Sequence, residues 1–250
     1  MTLVPPKDTK RLLKRLTNQY WKDGQESPAE IYLRQRGITK EAQNYFRLGF
    51  VKDPEPAERG YKGMLSIPYI TANGDVVGIK YRYMDDRKPK YRSSLGFEAK
   101  RIFNPFILTQ KHLRIYITEG ELDTVVLKQL GVPAIAIPGA TNWTVAAARA
   151  LRNREVVVLA DGDDANEEGL NLGKRICKDV DNASLVLMYG TDVNQFFLDN
   201  GKDELLSYIG WVDDRKQWSI SASSDSSVET SSGATPSNNG TSAFANRCAR

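Results

Sequence analysis

The chain has 250 residues, of which 40% are hydrophobic and 26% charged, and its formal net charge is +4. This composition is typical of a globular protein with a sizeable core, and no apolar run approaches the roughly 20 residues that span a bilayer, which argues against a membrane protein. Two cysteines and one histidine are too few for a Cys/His zinc site, so we expect no zinc. The amino terminus lacks the pattern of a secretory signal, and we expect a cytoplasmic protein.

Charge is distributed unevenly along the chain. Residues 1–112 carry 22 Lys and Arg against 12 Asp and Glu, a net charge of +10, whereas residues 113–210 carry 9 against 15, a net charge of −6. A basic half joined to an acidic half indicates that the first half binds a polyanion and the second binds metal ions. The alternative interpretation is two solvated surfaces of opposite sign.

The basic half begins with helices and continues with a hairpin. Residues 8–22 have the apolar spacing of a basic amphipathic helix, and two shorter helices are predicted to begin after the N-cap residues Ser27 and Thr39. Asn73 and Gly74 form a strong hairpin signal between two alternating segments. We therefore predict a small basic α+β subdomain over residues 1–112, with a groove for nucleic acid or nucleotides.

Basic and aromatic residues are interleaved in and after this hairpin. Its second strand is predicted to place Lys80 and Arg82 on one face and the rings of Tyr81 and Tyr83 on the other. Cations that follow phosphates and rings that stack on bases suit single-stranded nucleic acid. A twisted sheet with one solvated basic face would give the same pattern. The candidate phosphate-binding residues are Lys80, Arg82, Lys90, Arg92, Lys100 and Arg101.

From residue 113 apolar strands alternate with helices. This alternation predicts a parallel sheet covered on both faces, an α/β fold of the Rossmann-like type over residues 113–212. Right-handed crossovers bring the C-terminal ends of all the strands to one edge, where doubly wound folds place their sites. Residues 213–250 are rich in Ser, Thr and Asn, and we expect a disordered tail.

Carboxylates follow three of these strands. Glu119 follows the first, Asp161 and Asp163 the third, and Asp192 the fourth, while Glu121 is expected to be only a first-turn helix acid. Carboxylates that converge on one edge repel one another unless a divalent cation neutralises them, and hard oxygen ligands favour Mg²⁺ or Mn²⁺. Each acid alone is explained by helix N-capping, but four on one edge favour a metal site.

These motifs carry a family resemblance. The segments EGELD at 119–123 and DGDDANEEG at 161–169 resemble the TOPRIM domain shared by bacterial-type primases, topoisomerases and some nucleases. The resemblance implies that Glu119, Asp161 and Asp163 are catalytic and metal-binding residues. It also implies accessory metal ligands at Asp123 and Asp192. Asn194 departs from the pattern, because the primase branch of the family has a second acid at this position.

The upstream region narrows the resemblance to the primase branch. The segments GMLSIPYITANGDVVGIKYR at 63–82, PKYRSS at 89–94 and RIFN at 101–104 are similar to the N-terminal subdomain of primase catalytic cores. The resemblance implies a TOPRIM domain preceded by a smaller basic subdomain. It also implies a nucleotidyltransferase, a DNA-dependent RNA primase that makes short primers on single-stranded DNA from nucleoside triphosphates with Mg²⁺ or Mn²⁺.

The same resemblance sets expectations about partners and rival functions. We expect a catalytic core without the zinc-binding domain of full primases, in the cytoplasm of a bacterium or of a phage-infected host. If a replicative helicase or a zinc-binding domain takes part, it would be supplied in trans. Two alternatives remain from the residues alone: a TOPRIM nuclease that hydrolyses phosphodiesters, and a non-catalytic primase-like protein that binds single-stranded nucleic acid during replication.

Overall fold

The structure is a computed structural model that describes residues 7–94, 96–97, 101–139, 142–162, 167–211 and 246–247. Three helices form its first part. They are α1 (Lys7–Asp23), α2 (Pro28–Gln35) and α3 (Lys40–Phe46). The side chains of Ser27 and Thr39 accept hydrogen bonds from the first backbone N–H groups of α2 and α3, which confirms both predicted N-caps. No helix in the described part of the chain is both long and apolar enough to cross a membrane.

The first sheet is antiparallel and has the strand order β1-β2-β3-β4. Its strands are β1 (Gly49–Phe50), β2 (Leu65–Ile70), β3 (Val76–Arg82) and β4 (Tyr91–Ser93), and a 3-10 helix at Pro56–Tyr61 precedes β2. The predicted hairpin joins β2 to β3, and Gly74 in its turn has a φ of 84°, a conformation that favours glycine. Helix α1 covers one face of this sheet.

The second sheet is built from alternating strands and helices. Its elements are β5 (Arg114–Thr118), α4 (Glu121–Gln129), β6 (Ala134–Ala136), α5 (Val145–Leu151), β7 (Glu155–Gly162), α6 (Glu167–Asp179), β8 (Ala183–Tyr189) and α7 (Val193–Tyr208), with α7 interrupted at Gly201. These four strands are parallel in the order β6-β5-β7-β8, which confirms the predicted α/β fold. A short strand β9 (Asn246–Arg247) pairs antiparallel with β8, and the rest of the predicted tail lies outside the described residues.

One hydrophobic cluster joins the two sheets. It includes Leu33 of α2, Phe46 of α3, Ile67 of β2, Tyr116 of β5 and Val126 of α4, all of them buried. The cluster crosses the boundary that the sequence predicts at residues 112 and 113. The first sheet is therefore packed in a fixed position beside the parallel sheet, and the space between their edges has a defined shape.

The close approach of Gly49 in β1 to the backbone of α1 can be tested by substitution. A Cβ on Gly49 would overlap the backbone carbonyl of Tyr20 in α1, and helix backbone cannot rotate away. Gly49→Ala should therefore lower the free energy of unfolding by about 3 kcal/mol, as overpacking in a closed interior does. Urea denaturation followed by circular dichroism measures the change.

Gly60→Ala is the matched control. A Cβ there would meet only the end of the Arg92 side chain, at 3.2 Å, and that side chain can move. We expect a loss below about 1 kcal/mol, as for most changes outside the core. Equal losses in the two variants would contradict the close approach of α1 to β1.

Candidate active-site cleft

The acids that the sequence predicts to converge lie at the switch point of the parallel sheet, where the connections from neighbouring strands leave to opposite sides. Strands β5 and β7 are neighbours, but the chain leaves β5 towards β6 on one side and β7 towards β8 on the other. A crevice forms at such a switch point. Glu119 follows β5, Asp161 lies at the end of β7, and Asp192 follows β8; together with Asp123 they line one cleft of about 400 Å³. Asp163 lies outside the described residues.

Asp123 is a buried acid at the base of this cleft. Its carboxylate packs against Gly120, where any Cβ would overlap it, and accepts a hydrogen bond of 2.9 Å from the backbone N–H of Asn194. Burial, and then the negative charges of Asp192 and Asp161, raise the pKa of Asp123 well above its usual value. The acidic wall thus carries a repulsion that a bound cation would relieve.

Glycine also brings Glu119 close to helix α6. A Cβ on Gly169, in the first turn of α6, would lie 2.8 Å from Oε2 of Glu119 and 3.6 Å from the backbone nitrogen of Asp161. The absence of a side chain at Gly169 therefore leaves room for the carboxylate at the end of β5. The sequence interpretation did not single out this residue, although it closes the motif that contains Asp161.

Cations from the first sheet and from α2 form the opposite wall. Lys80 and Arg82 of β3, Lys90 before β4, and Arg36 after α2 all line the cleft. Loss of solvent around the ammonium group of Lys90, and then the charges of Arg82 and Arg36, lower its pKa. This crowding of positive charge suits an anionic ligand, which would relieve the repulsion between the cations.

Two tyrosines hold the Arg82 guanidinium in this wall. Arg82 is only 5% exposed; its Nε donates a hydrogen bond of 2.8 Å to the Tyr32 hydroxyl, and its Nη1 donates to the Tyr91 hydroxyl. The Lys80 ammonium lies 4.2 Å from the centre of the Tyr91 ring. Tyr81, which the interleaved pattern offered for base stacking, is buried on the other face of the sheet, where it stacks on Tyr61.

Two of the remaining predicted cations, Arg92 and Arg101, do not line the cleft. Arg92 is the cross-strand partner of Tyr81, so it lies on the face of the sheet opposite Lys80 and Arg82. Its guanidinium donates a hydrogen bond of 2.7 Å to the Gly60 carbonyl and lies over the Tyr61 ring. Arg101 is described but does not line the cleft, and Lys100 lies outside the described residues.

Glu121 has a larger role than that of the first-turn helix acid expected from the sequence. The residue is 1% exposed, and its Oε1 accepts hydrogen bonds from the Tyr69 hydroxyl at 2.5 Å and from the Lys80 ammonium at 2.6 Å. Tyr69 lies in β2 and Lys80 in β3, whereas Glu121 opens α4. This one carboxylate therefore connects the first sheet to the helix that follows Glu119. Nothing in the local sequence signals a contact between residues so far apart.

Arg36 and Asn194 form a second connection across the cleft. The Arg36 guanidinium donates to Oδ1 of Asn194, and Nδ2 of Asn194 donates back to the Arg36 carbonyl, both at 2.7 Å. Asn194 is fully buried, and its amide faces the end of α2. The sequence interpretation places a second acid of the primase branch at this position. Here it holds a neutral side chain that is hydrogen-bonded twice to Arg36, and we call this pair of hydrogen bonds the clamp. The sequence interpretation noted Asn194 but missed Arg36.

The carboxylates do not form a closed ligand set. In the part of the chain that the structure describes, no three Asp, Glu, His or Cys side chains are grouped closely enough to hold a metal ion. The second acid of the Asp-x-Asp motif, Asp163, lies outside that part. The metal site therefore stays a prediction, supported by the position and chemistry of the acids around the cleft.

Comparison with known proteins decides the family. No family model matches the chain. Over 155 residues, which are 60% of this chain and 99% of the relative, it is 38% identical to the Gene 57 protein of Mycobacterium phage D29. The chain belongs to the Gene 57 protein family. The present chain is also 24% identical over 221 residues to the DNA primase of Clostridium acetobutylicum, and it covers 37% of the length of that primase.

Solved structures identify the fold of the present chain. It superimposes on the DnaG catalytic core with a TM-score of 0.64 and 20% identity, over 78% of this chain and 77% of that one. It matches the RNA polymerase domain of Mycobacterium tuberculosis primase DnaG with a TM-score of 0.65 and 18% identity, over 89% of both chains. A DnaG catalytic domain bound to single-stranded DNA matches with a TM-score of 0.62 and 20% identity, over 80% of both. The predicted primase catalytic-core fold is confirmed.

Asn194→Ala tests the clamp. The change removes the side chain of a fully buried residue and leaves the half-buried Arg36 carbonyl and Nη1 without these partners. Loss of the two hydrogen bonds should lower the free energy of unfolding by about 2 kcal/mol, measured by urea denaturation. Asn200→Ala is the control, because Asn200 is an exposed residue of the same helix. A loss in Asn194→Ala no larger than in the control would contradict a stabilising clamp.

A double-mutant cycle tests the Glu121 connection. Glu121→Leu leaves the Lys80 ammonium, whose side chain is 14% exposed, without its carboxylate, and should cost about 3 kcal/mol of unfolding free energy. Adding Lys80→Met should recover much of this loss, since an apolar pair replaces the buried ion pair. Chemical denaturation of the two single variants and the double variant gives the coupling energy. Strictly additive losses would show that Glu121 and Lys80 act independently.

Proposed function

We propose that the protein is a primase-type nucleotidyltransferase that makes short RNA primers on single-stranded DNA. The observation that carries the proposal is the cleft itself. Acids at the switch point of the parallel sheet, Glu119, Asp161 and Asp192, face cations from the first sheet and from α2 across a space of about 400 Å³. That volume falls within the range of small-molecule sites and suits a nucleoside triphosphate. The structural likeness to a DnaG catalytic domain bound to single-stranded DNA supports a DNA template.

The acidic wall fits a divalent cation. Its donors are carboxylate oxygens, which Mg²⁺ and Mn²⁺ prefer. Burial, and then the charges of Asp192 and Asp161, raise the pKa of Asp123, and the nearby Arg36 offsets this rise only in part. Glu119, Asp161 and Asp192 would hold the ion, with Asp163 completing the motif and Asp123 supporting it. Bound there, the metal would stabilise the charge that develops on the phosphoryl, attacking and leaving oxygens.

The chain's own cations have a separate task. Lys90 and Arg36 line the cleft opposite the acids and would bind the triphosphate or the template backbone. Arg82 is already fixed by Tyr32 and Tyr91, so its charge is oriented before any ligand arrives. A preorganised cation gains affinity because its side chain loses little freedom on binding. Lys80 is neutralised by Glu121 and would serve mainly to hold the wall in place.

Asp161→Asn tests the proposed chemistry. The protein is incubated with single-stranded DNA, labelled nucleoside triphosphates and Mg²⁺, and new oligoribonucleotides are resolved on a gel. We expect the rate of synthesis to fall by more than about 100-fold in the variant. A loss of about 100-fold is the upper limit for residues that only support a metal ligand, and a ligand itself should cost more. Metal titration by calorimetry should show weaker Mg²⁺ or Mn²⁺ binding in the variant, while its DNA affinity stays close to that of the unchanged protein.

The control is Asp203→Asn, an exposed acid of α7 away from the cleft, which should leave synthesis unchanged. Degradation of added nucleic acid without synthesis would replace the primase proposal with a TOPRIM-type nuclease. Normal synthesis by Asp161→Asn would contradict the assignment of that acid.

A further inference from the structure

Helix α1 carries a line of cations on its outward face. At 100° per residue, six residues fall within an arc of about 100°, and a rise of 1.5 Å per residue spreads them over about 22 Å. We call this set the α1 stripe: Lys7, Arg11, Lys14, Arg15, Asn18 and Lys22. Five of the six are cations, and the set contains no acid. None of them lines the cleft.

The other side of α1 packs against the first sheet. Leu13, Leu16 and Tyr20 are buried against β1, β2 and β3, where Tyr20 meets the edge of the Tyr81 ring. A basic amphipathic helix that binds a membrane must bury its apolar face in lipid, and this apolar face is already committed to the first sheet. The stripe therefore acts through charge and hydrogen bonds alone.

Most of the charge on the stripe is not neutralised by its neighbours. Arg15 pairs with Glu55, but in the described residues Arg11, Lys14 and Lys22 take part in no ion pair. Asn18 accepts a hydrogen bond of 3.3 Å from Arg47, which adds a further cation beside the stripe. The surface therefore keeps a positive field along the length of the helix.

We propose that the α1 stripe binds the sugar–phosphate backbone of single-stranded nucleic acid, as a second contact surface separate from the cleft. Cations repeated along one line match the repeated charges of a phosphate backbone, and Asn side chains also donate to phosphate oxygens. A protein partner is a poorer match, because protein interfaces are enriched in aromatic residues and depleted of Lys, and the stripe has no aromatic residue.

The two surfaces lie on opposite faces of the first sheet. Lys80 and Arg82 point from β3 into the cleft, whereas Tyr81, between them, points towards α1. A strand bound in the cleft therefore reaches the stripe only by passing round the edge of the sheet. A short oligonucleotide would bind in the cleft without reaching the stripe, and a longer one would engage both.

A matched pair of double variants tests the proposal. Arg11→Gln with Lys14→Gln removes two charges from the stripe, and Lys174→Gln with Lys178→Gln removes two charges from exposed positions of α6. The affinity for a long single-stranded DNA is measured by fluorescence anisotropy over a range of salt concentrations. The slope of log K against log salt should decrease in magnitude by about 1.4 in the α1 variant, at about 0.7 per lost phosphate contact. The α6 variant should keep the original slope.

Oligonucleotide length separates the stripe from the cleft. For an oligonucleotide too short to reach round the sheet, Lys90→Gln should weaken binding and the α1 variant should not. An unchanged salt slope in the α1 variant, or equal decreases in the α1 and α6 variants, would overturn the proposal. The measurement needs no catalysis, so a protein that fails to make primers still tests the stripe.

Discussion

The carboxylate of Glu121 is the contact on which the geometry of the cleft depends. It sits at the first residue of α4, two residues after Glu119, and it is bound by Tyr69 and Lys80 from two strands of the other sheet. A buried carboxylate without such partners would be strongly unfavourable, so the two sheets can pack only in an arrangement that supplies both. The packing that satisfies Glu121 also places the basic wall opposite the acids.

Charge in the cleft is divided between its two walls. The acids lie at strand ends and helix starts of the parallel sheet, and the cations come from the first sheet, with Lys90 just before β4, and from the end of α2. Burial, and then repulsion between like charges, raise the pKa of Asp123 and lower that of Lys90. A metal ion and a polyphosphate together would relieve the repulsion on both walls. The cleft is therefore electrostatically prepared for a metal-bound anion.

Local patterns in the sequence predicted the part of the site that local structure builds. Alternating strands and helices fixed the parallel sheet, and the strand ends fixed Glu119, Asp161 and Asp192 on one edge, because strand periodicity and crossover handedness need no distant information. The α/β class, the hairpin and two N-caps followed in the same way.

Contacts between distant residues were beyond such patterns. Glu121 looked like an ordinary first-turn acid because its partners are 41 and 52 residues away. Arg36 was missed because its partner Asn194 is 158 residues away. Arg92 was grouped with Lys90 by proximity in sequence, but alternate residues of a strand point to opposite faces, and Arg92 pairs across the sheet with Tyr81.

Asn194 has a mechanical consequence. Its backbone N–H holds Asp123 of the acidic wall, and its side chain holds Arg36 of the basic wall. One residue that is shielded from solvent thus links the two sides of the cleft near its base. Because Asn194 is bonded to both, the position of the end of α2 and the orientation of the Asp123 carboxylate depend on the same residue. A substitution at Asn194 would therefore disturb both sides of the cleft, although its side chain does not line the cleft.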